Sequence, residues 1–402
     1  MRSVSMLVVA SAIVLVAGSA SAQGRGGRGT PIQAGEQCPP GMTEVRPRTC
    51  MAPEFAPPSI VDYRPRSTLK VTEHMVPKAK FPAIDYHAHV GGFLSSAERL
   101  AELSAHMDAL NLGMMVVTDN MTGERLKNSM AVVNASPTMK DKVRIFTGVS
   151  FRGVGEPGWA AAAVKQLEDD VAAGAVGIGE IGKGFGLSAR KADGTLLRID
   201  DPELDPVWAA AGRLGIPVFI HTAEPEEFFQ PIDFNNERWL ELALFGDRRN
   251  GPGSGRPSFV DLMAQRDNLF RKHPKTTFVA AHMGWHAQDL GRLGRMFDEM
   301  PNLYAELGAV LYDIGRQPRA AHDFFVKYQD RILFGKDSFQ PEEYPYYWRV
   351  FETNDDYFDY YRDYHAFWKL YGIGLPDEVL KKVYYQNAMK MTPRLPQTGF
   401  PR

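Results

Sequence analysis

From Phe81 onward the chain alternates between two hydrophobic periods. Short apolar runs at Phe81–His87, Gly113–Thr118, Val143–Val149, Ala175–Ile181, Ile216–His221, Thr276–His282, Asn302–Glu306 and Arg331–Gly335 have the length and composition of buried strands. The stretches between them place apolar residues three and four apart, clearest over Ser95–Leu110, Trp159–Ala173, Pro206–Leu214, Pro257–His273, Ala287–Met300 and Gln317–Tyr328. Strands and helices in this alternation predict an α/β fold, a (β/α)8 TIM barrel. An open doubly wound sheet would give the same alternation. Two details favour closure. No Gly-x-Gly-x-x-Gly loop opens the first helix, and the polar residues ending the runs are spread from the first strand to the eighth, so only a ring brings them together.

Three long insertions follow strand ends, at Phe185–Asp205, Thr222–Pro257 and Ser338–Asp377. Loops on that face build the site of such a barrel, which makes them candidates for substrate walls and a lid. The third holds Tyr344, Tyr346, Tyr347, Trp348, Tyr357, Tyr361 and Trp368. Packing of the insertion onto the barrel is the plainer use for rings of this size.

The first 80 residues read differently. Arg2, the apolar run Met6 to Val16 and the small residues Ala20-Ser21-Ala22 have the layout of a secretory signal over residues 1–22, with the mature chain starting near Gln23. The run falls short of the roughly 20 residues a bilayer span needs, so no stable membrane insertion is expected once the leader is cut. The protein is therefore expected to be exported, to a periplasm or the medium. Residues 23–80 lack a sustained period, carry Gly/Arg repeats at Gly24–Gly29 and recurrent Pro, and predict a short Pro-rich N-terminal arm lying over the main domain. Cys38 and Cys50 are the only cysteines, and in an oxidising compartment a disulfide between them is the expected state. The formal charge is −2, and losing Arg2 leaves it still close to neutral. With no basic run, nucleic acid is not an expected partner, whereas a small-molecule substrate is, and a homo-oligomer stays open.

The chemistry sits at the strand ends. The first apolar run closes on Asp85-Tyr86-His87-Ala88-His89, and because side chains alternate along a strand, His87 and His89 share a face as a chelating pair. Later runs end on Glu180, His221, His282 and, just past the eighth, Asp337. Neutral nitrogens from His87, His89 and His221 with an anionic oxygen from Asp337 suit a divalent ion, Zn²⁺ first with Mn²⁺ or Fe²⁺ as alternatives, and leave room for water. His282 is either a further ligand or a group that polarises the substrate oxygen. A lone His-x-His arises readily by chance; the conjunction across five strand ends is what carries weight.

That order of residues resembles the amidohydrolase superfamily. Gly335-Lys336-Asp337-Ser338 is similar to its Gly-Thr-Asp motif, and Tyr385-Gln386-Asn387-Ala388 to its terminal Asn-Ala helix. The stretches Asp200-Asp201-Pro202, Ile216-Pro217-Val218-Phe219-Ile220-His221 and Arg271 to Phe278 resemble the amidohydrolase-related group that includes aminocarboxymuconate-semialdehyde decarboxylase-like enzymes. The resemblance covers roughly residues 81–393. Lys336 departs from it, standing where the family has Thr. On strand four, Glu180 either bridges two ions or pairs with Lys183, and Lys183 is itself an alternative strand-four ligand, so one ion or two stays open.

The resemblance and the residue types imply metal-dependent hydrolysis of a small ester, lactone or amide, with Asp337 as general base and His282 steadying the oxyanion. A metal-dependent decarboxylase of a small aromatic or enoic acid is the first alternative, and a catalytically inactive secreted binding protein the second. Arg152, beyond the third strand, is a candidate partner for a substrate carboxylate or a structural salt bridge. Arg238 is a further substrate-contact candidate, in a polar stretch that otherwise reads as solvated loop and caps.

Overall fold

The computed structural model describes residues 29–401. The leader and its cleavage site near Ala22 lie outside these described residues. Two compact units divide between Thr68 and Leu69. The first contains a small antiparallel sheet of β1 (Thr30–Pro31), β2 (Thr43–Arg46) and β3 (Thr49–Met51), in the order β1-β3-β2. Among its described residues the one fully buried apolar side chain is Cys50, joined to Cys38 by a disulfide with the Cα atoms 5.7 Å apart. So few buried side chains make no core, and the cross-link stands in for one.

Residues 69–80, the end of the sequence-defined arm, count with the second unit. They have no period of their own, but barrel acceptors take their backbone donors: His74 N–H donates to Asp355 at 2.8 Å, Ala79 N–H to the Leu110 carbonyl at 3.1 Å and Lys80 N–H to Glu352 at 2.9 Å.

The second unit is the expected barrel. Its strands are β4 (Ala83–Ala88), β5 (Leu112–Val117), β6 (Val143–Ile145), β7 (Ile178–Ile181), β8 (Val218–Ile220), β9 (Phe278–Ala280), β10 (Leu303–Glu306) and β11 (Ile332–Leu333). All pair in parallel, β4-β5-β6 as one run and β7 through β11 as another. Two parallel bridges, Thr147↔Ile178 and Ala88↔Asp337, join the runs at both edges. The ring is thereby closed, and the open-sheet alternative falls.

The helices run α1 (Ala97–Leu110), α2 (Gly123–Ala135), α3 (Trp159–Ala172), α4 (Asp205–Leu214), α5 (Trp239–Leu244), α6 (Phe259–Lys272), α7 (Leu290–Glu299), α8 (Leu311–Ile314), α9 (Pro318–Lys327), α10 (Tyr344–Glu352), α11 (Asp377–Lys381) and α12 (Asn387–Met391). Local chemistry sets their ends. Ser258 and Asp261 form a reciprocal capping box at the start of α6, and Gly215 takes a left-handed φ of 64° to stop α4. Helix α2 was not among the clear helical stretches of the sequence. It carries β-branched and Asn/Ser positions, and buries only Leu126, Ser129 and Val133, too thin a stripe to read.

Barrel strand side chains are almost wholly buried, with Tyr86 edge-on to Phe146 and Phe219 at 5.5 and 6.3 Å. In the third insertion Tyr344, Tyr347 and Trp348 pack around Phe334 of the eighth strand run, which is the packing role expected of those rings. Asn387, from the terminal motif, donates to the carbonyls of Gln329 and Ile332 at 2.7 and 2.8 Å and so ties the last helix under β11. No helix among the described residues is long and apolar enough to cross a membrane.

Candidate metal centre

The hydrogen-bonded strands are shorter than the apolar runs that predicted them. His87, Glu180 and Glu306 lie inside strands, whereas His89, His221, His282 and Asp337 stand one to four residues beyond. Past the last ladder bond the chain is free to turn side chains over the barrel mouth, and all of these converge there.

Glu180 occupies the middle. One carboxylate oxygen is 2.5 Å from His221 Nδ1 and 3.5 Å from both His87 Nε2 and His282 Nε2; the other is 3.4 Å from His89 Nε2. Asp337 Oδ1 lies 3.5 Å from His89 Nε2 and 3.9 Å from His87 Nε2. His282 Nε2 is 3.2 Å from His221 Nδ1. The side chains of His87, His282 and His221 are closed off from solvent, while Asp337 and His89 are 27% and 32% exposed, so the centre opens on their side.

Each ring commits its other nitrogen outward. His87 Nδ1–H donates to Glu306 at 2.9 Å, His89 Nδ1–H to Asp119 at 2.7 Å, His221 Nε2–H to the Ala223 carbonyl at 3.0 Å and His282 Nδ1–H to the Gly308 carbonyl at 2.8 Å. All four partners are acceptors, which fixes the tautomers. For neutral rings the four inward nitrogens are then lone pairs, and they face two carboxylates. His87 Nε2 is buried without a hydrogen-bond partner. A cluster of acceptors with no donor calls for positive charge, and three overlapping triads, His87/His89/Glu180, Glu180/His221/His282 and His87/His282/Glu306, each bring their ligand atoms within 4.8 Å of one another and suit a divalent cation.

The ionisation equilibria carry the same signature. Burial works to lower the His87 pKa, but Glu306 and Glu180 raise it well above the ordinary imidazole value. His89 is pushed up to about 9, with Asp119 and Glu180 overcoming its burial. Burial works against the charged form of Glu180 too, yet His221 and His87 hold its carboxyl well below the usual range. Asp337 is lowered likewise, His87 and His282 outweighing its desolvation.

Glu306 and Asp119 were not singled out in the sequence. Glu306 ended the seventh apolar run in plain view, and Asp119 stood just past the second; nothing in a single run shows which histidine each supports. Glu306 also accepts from the backbone N–H groups of His282, at 3.3 Å, and Gly308. A Cβ at Gly308 would come within 2.7 Å of Glu306 and 3.1 Å of His87, and one at Gly335 would overlap the Glu306 carboxylate. Both glycines are there for close approach. Asp85, fully buried, accepts from His87 N–H at 3.0 Å, Lys336 N–H at 3.1 Å and the Tyr344 hydroxyl at 2.5 Å; burial raises its pKa to about 6. It fastens the first strand, the Asp337 segment and the third insertion together.

Other sequence candidates lie elsewhere. Lys183 turns outward to Glu224 at 2.9 Å, so Glu180 alone of that pair enters the centre. Lys336 is buried, donating to the Ser338 carbonyl at 3.1 Å and to Glu343, with the rings of Tyr344, Tyr347 and Tyr361 within 6 Å; it anchors the insertion instead of lining the site. Arg238, read as a substrate contact, is buried and bound to Glu241, with Tyr312 4.4 Å beneath its guanidinium. That partner, three residues away, takes its Nε and Nη2, while its Nη1 is buried without a hydrogen-bond partner among the described residues. Arg152 is exposed on its loop and makes no ion pair among the described residues.

A family model described as Amidohydrolase matches residues 84–394. No curated protein matches the chain. Among solved structures it is similar to an uncharacterised TIM-barrel protein from Bordetella bronchiseptica, at 15% identity over 78% of this chain and 99% of that one with a TM-score of 0.47. It is similar also to 2,6-dihydroxybenzoate decarboxylase from Rhizobium, at 15% identity, 78% and 99% coverage and a TM-score of 0.46. A third is 4-oxalomesaconate hydratase from Rhodopseudomonas palustris, at 16% identity, 78% and 96% coverage and a TM-score of 0.44.

Proposed function

The chain belongs to the amidohydrolase family, and from that premise we propose that it is a metal-dependent hydrolase of a small ester, lactone or amide. His87, His89, His221 and Asp337 would hold the ion, with Glu180 placed to share a second. Zn²⁺ suits this nitrogen-rich set best. A divalent ion bound there supplies Lewis acidity toward both water and a carbonyl.

The observation that carries the reading is the placement of Asp337. It is the more open of the two central carboxylates, 27% exposed against 14% for Glu180, and stands beside His89 on the side where the centre opens to solvent. There it can take a proton from the attacking water and return it to the leaving group. His282, across the centre and backed by Trp285, is placed to steady an oxyanion.

The test is a panel of esters, lactones and amides scored for acid or amine release, run beside aromatic and enoic acids scored for CO₂ release. Hydrolysis is expected, with Asp337→Asn cutting turnover by about 10²- to 10⁴-fold while elemental analysis still finds metal. CO₂ release alone would replace hydrolase by decarboxylase, and a fully metallated protein inert to the whole panel would point to a binding role.

A further inference from the structure

Four successive residues, His282 to Trp285, have left-handed backbone, with φ of 57°, 51°, 61° and 54°. Three of them carry a Cβ, for which this region is disfavoured, and runs of such residues are rarer still. The turn has a visible product. It lays the Trp285 ring on the His282 imidazole, 4.4 Å apart and 25° from parallel, and points His282 Nε2 at Glu180 and His221.

What holds the turn comes from outside the barrel wall. Arg266 of α6 is 1% exposed, and its Nη1 donates to the Gly284 carbonyl at 2.5 Å, the midpoint of the left-handed run. Its Nη2 lies 3.1 Å from His286 Nε2 and 2.8 Å from Asp267, and its Nε also donates to Asp267. Asp267 in turn meets Arg292 of α7 at 3.4 Å. His286 closes the turn by donating its N–H to the Met283 carbonyl. Burial, with the charges of Arg266 and Arg292, holds His286 down at about 2, and because Arg266 Nη2 can only donate, the neutral ring faces it with its Nε2 lone pair. A Cβ on Gly284 would sit 2.9 Å from Arg266 Nη1, so this residue must be glycine for the fork to reach. An apolar side chain would fill a purely structural slot at lower desolvation cost.

We propose that Arg266 is a positioning residue for the centre: its guanidinium clamps the left-handed turn that aims His282 inward and stacks Trp285 upon it. The effect on turnover rests on the role proposed for His282; the geometric claim does not, and its readouts need no substrate.

The experiment uses full-length protein with ¹⁵N-labelled histidine rings. The His282 ring signal is identified by its loss in His282→Asn, and the near-UV circular dichroism of Trp285 by its loss in Trp285→Phe. Arg266→Met is expected to shift the His282 signal and collapse the Trp285 band while the far-ultraviolet spectrum and the His87 signal stay as in the wild type. Arg266→Lys should restore part of both. Gly284→Ala attacks the same contact from the other side, leaves the Arg266–Asp267 pair in place and should produce the same changes. On a substrate found by the panel above, kcat should fall at least tenfold with ion content unchanged. Wild-type His282 and Trp285 signals in either folded variant would overturn the proposal. So would global unfolding of both, since Arg266 would then serve the barrel and not the turn.

Discussion

Orientation of the histidines depends on the carboxylates and carbonyls behind their rings. Glu306 is the clearest, because one buried carboxylate accepts from the His87 ring, from the backbone of His282 and from Gly308, whose carbonyl holds the His282 ring. Glu306→Gln keeps the volume but puts an amide N–H against one of those donors. Loss of an outer partner of this kind typically weakens metal affinity 10- to 100-fold, and chelator competition should show a drop of about that size; unchanged affinity would demote Glu306 to packing. Asp119→Asn should cost less, toward about tenfold, since His89 is a third exposed and water can replace the partner. These residues also mark how far the sequence could be read. His87 and His89 were legible because strand alternation alone puts them on one face. Glu306 and Asp119 occupied legible positions with illegible partners. Arg238 is buried against Glu241, from an irregular insertion that no period describes, and against the Tyr312 ring, from beyond the seventh strand, and neither contact shows in the sequence. Arg266 lay hidden as one more cation on an amphipathic helix.

Strand ends and turns, not whole strands, aim the site. The eight apolar runs named the right strands, yet His221, His282 and Asp337 sit past the ladders, where conformation depends on contacts from other elements. The His282–Trp285 reversal could not be read from Met283-Gly284-Trp285 for that reason. Close backbone approach at β11 gives a direct test: Gly335→Ala should displace the Glu306 carboxylate, destabilise by about 1–3 kcal/mol as overpacking does, and lower metal content. Gly92→Ala, where nothing lies within 4 Å, should do neither. The α6–α7 junction adds a pH dependence. His286 titrates near 2 when folded and near 6.5 when unfolded, so between those values the unfolded chain binds the extra proton and stability rises with pH. The contribution is full above pH 6.5 and is lost as pH falls, by at most roughly 1.4 kcal/mol per pH unit. Thermal midpoints measured from pH 7 down to pH 4 should therefore fall less steeply in His286→Gln than in wild type; parallel curves would mean that His286 is protonated in the fold.

Ring closure does not depend on the ion. Both closing bridges are backbone contacts, with Asp337 N–H donating to the His87 carbonyl at 2.8 Å and Gly179 N–H to the Thr147 carbonyl at 2.9 Å. Beneath them lies a continuous apolar core drawn from every barrel strand and most of the helices around it. Each inward histidine is held from behind by an acceptor that stays in place when the cation leaves, and the rings can take up protons to offset Glu180 and Asp337. Removing metal by a chelator is thus expected to leave the far-ultraviolet spectrum unchanged. What should move is the thermal midpoint. An ion at a hundred times its dissociation constant stabilises the folded state by about 2.7 kcal/mol, which for a chain of this size corresponds to a shift of only a few degrees. Readdition of Zn²⁺ should recover it. Loss of secondary structure on chelation, or a midpoint lowered by tens of degrees, would show that the ion is part of the barrel's construction, and the separation drawn here between a self-sufficient scaffold and the centre mounted on its rim would fail.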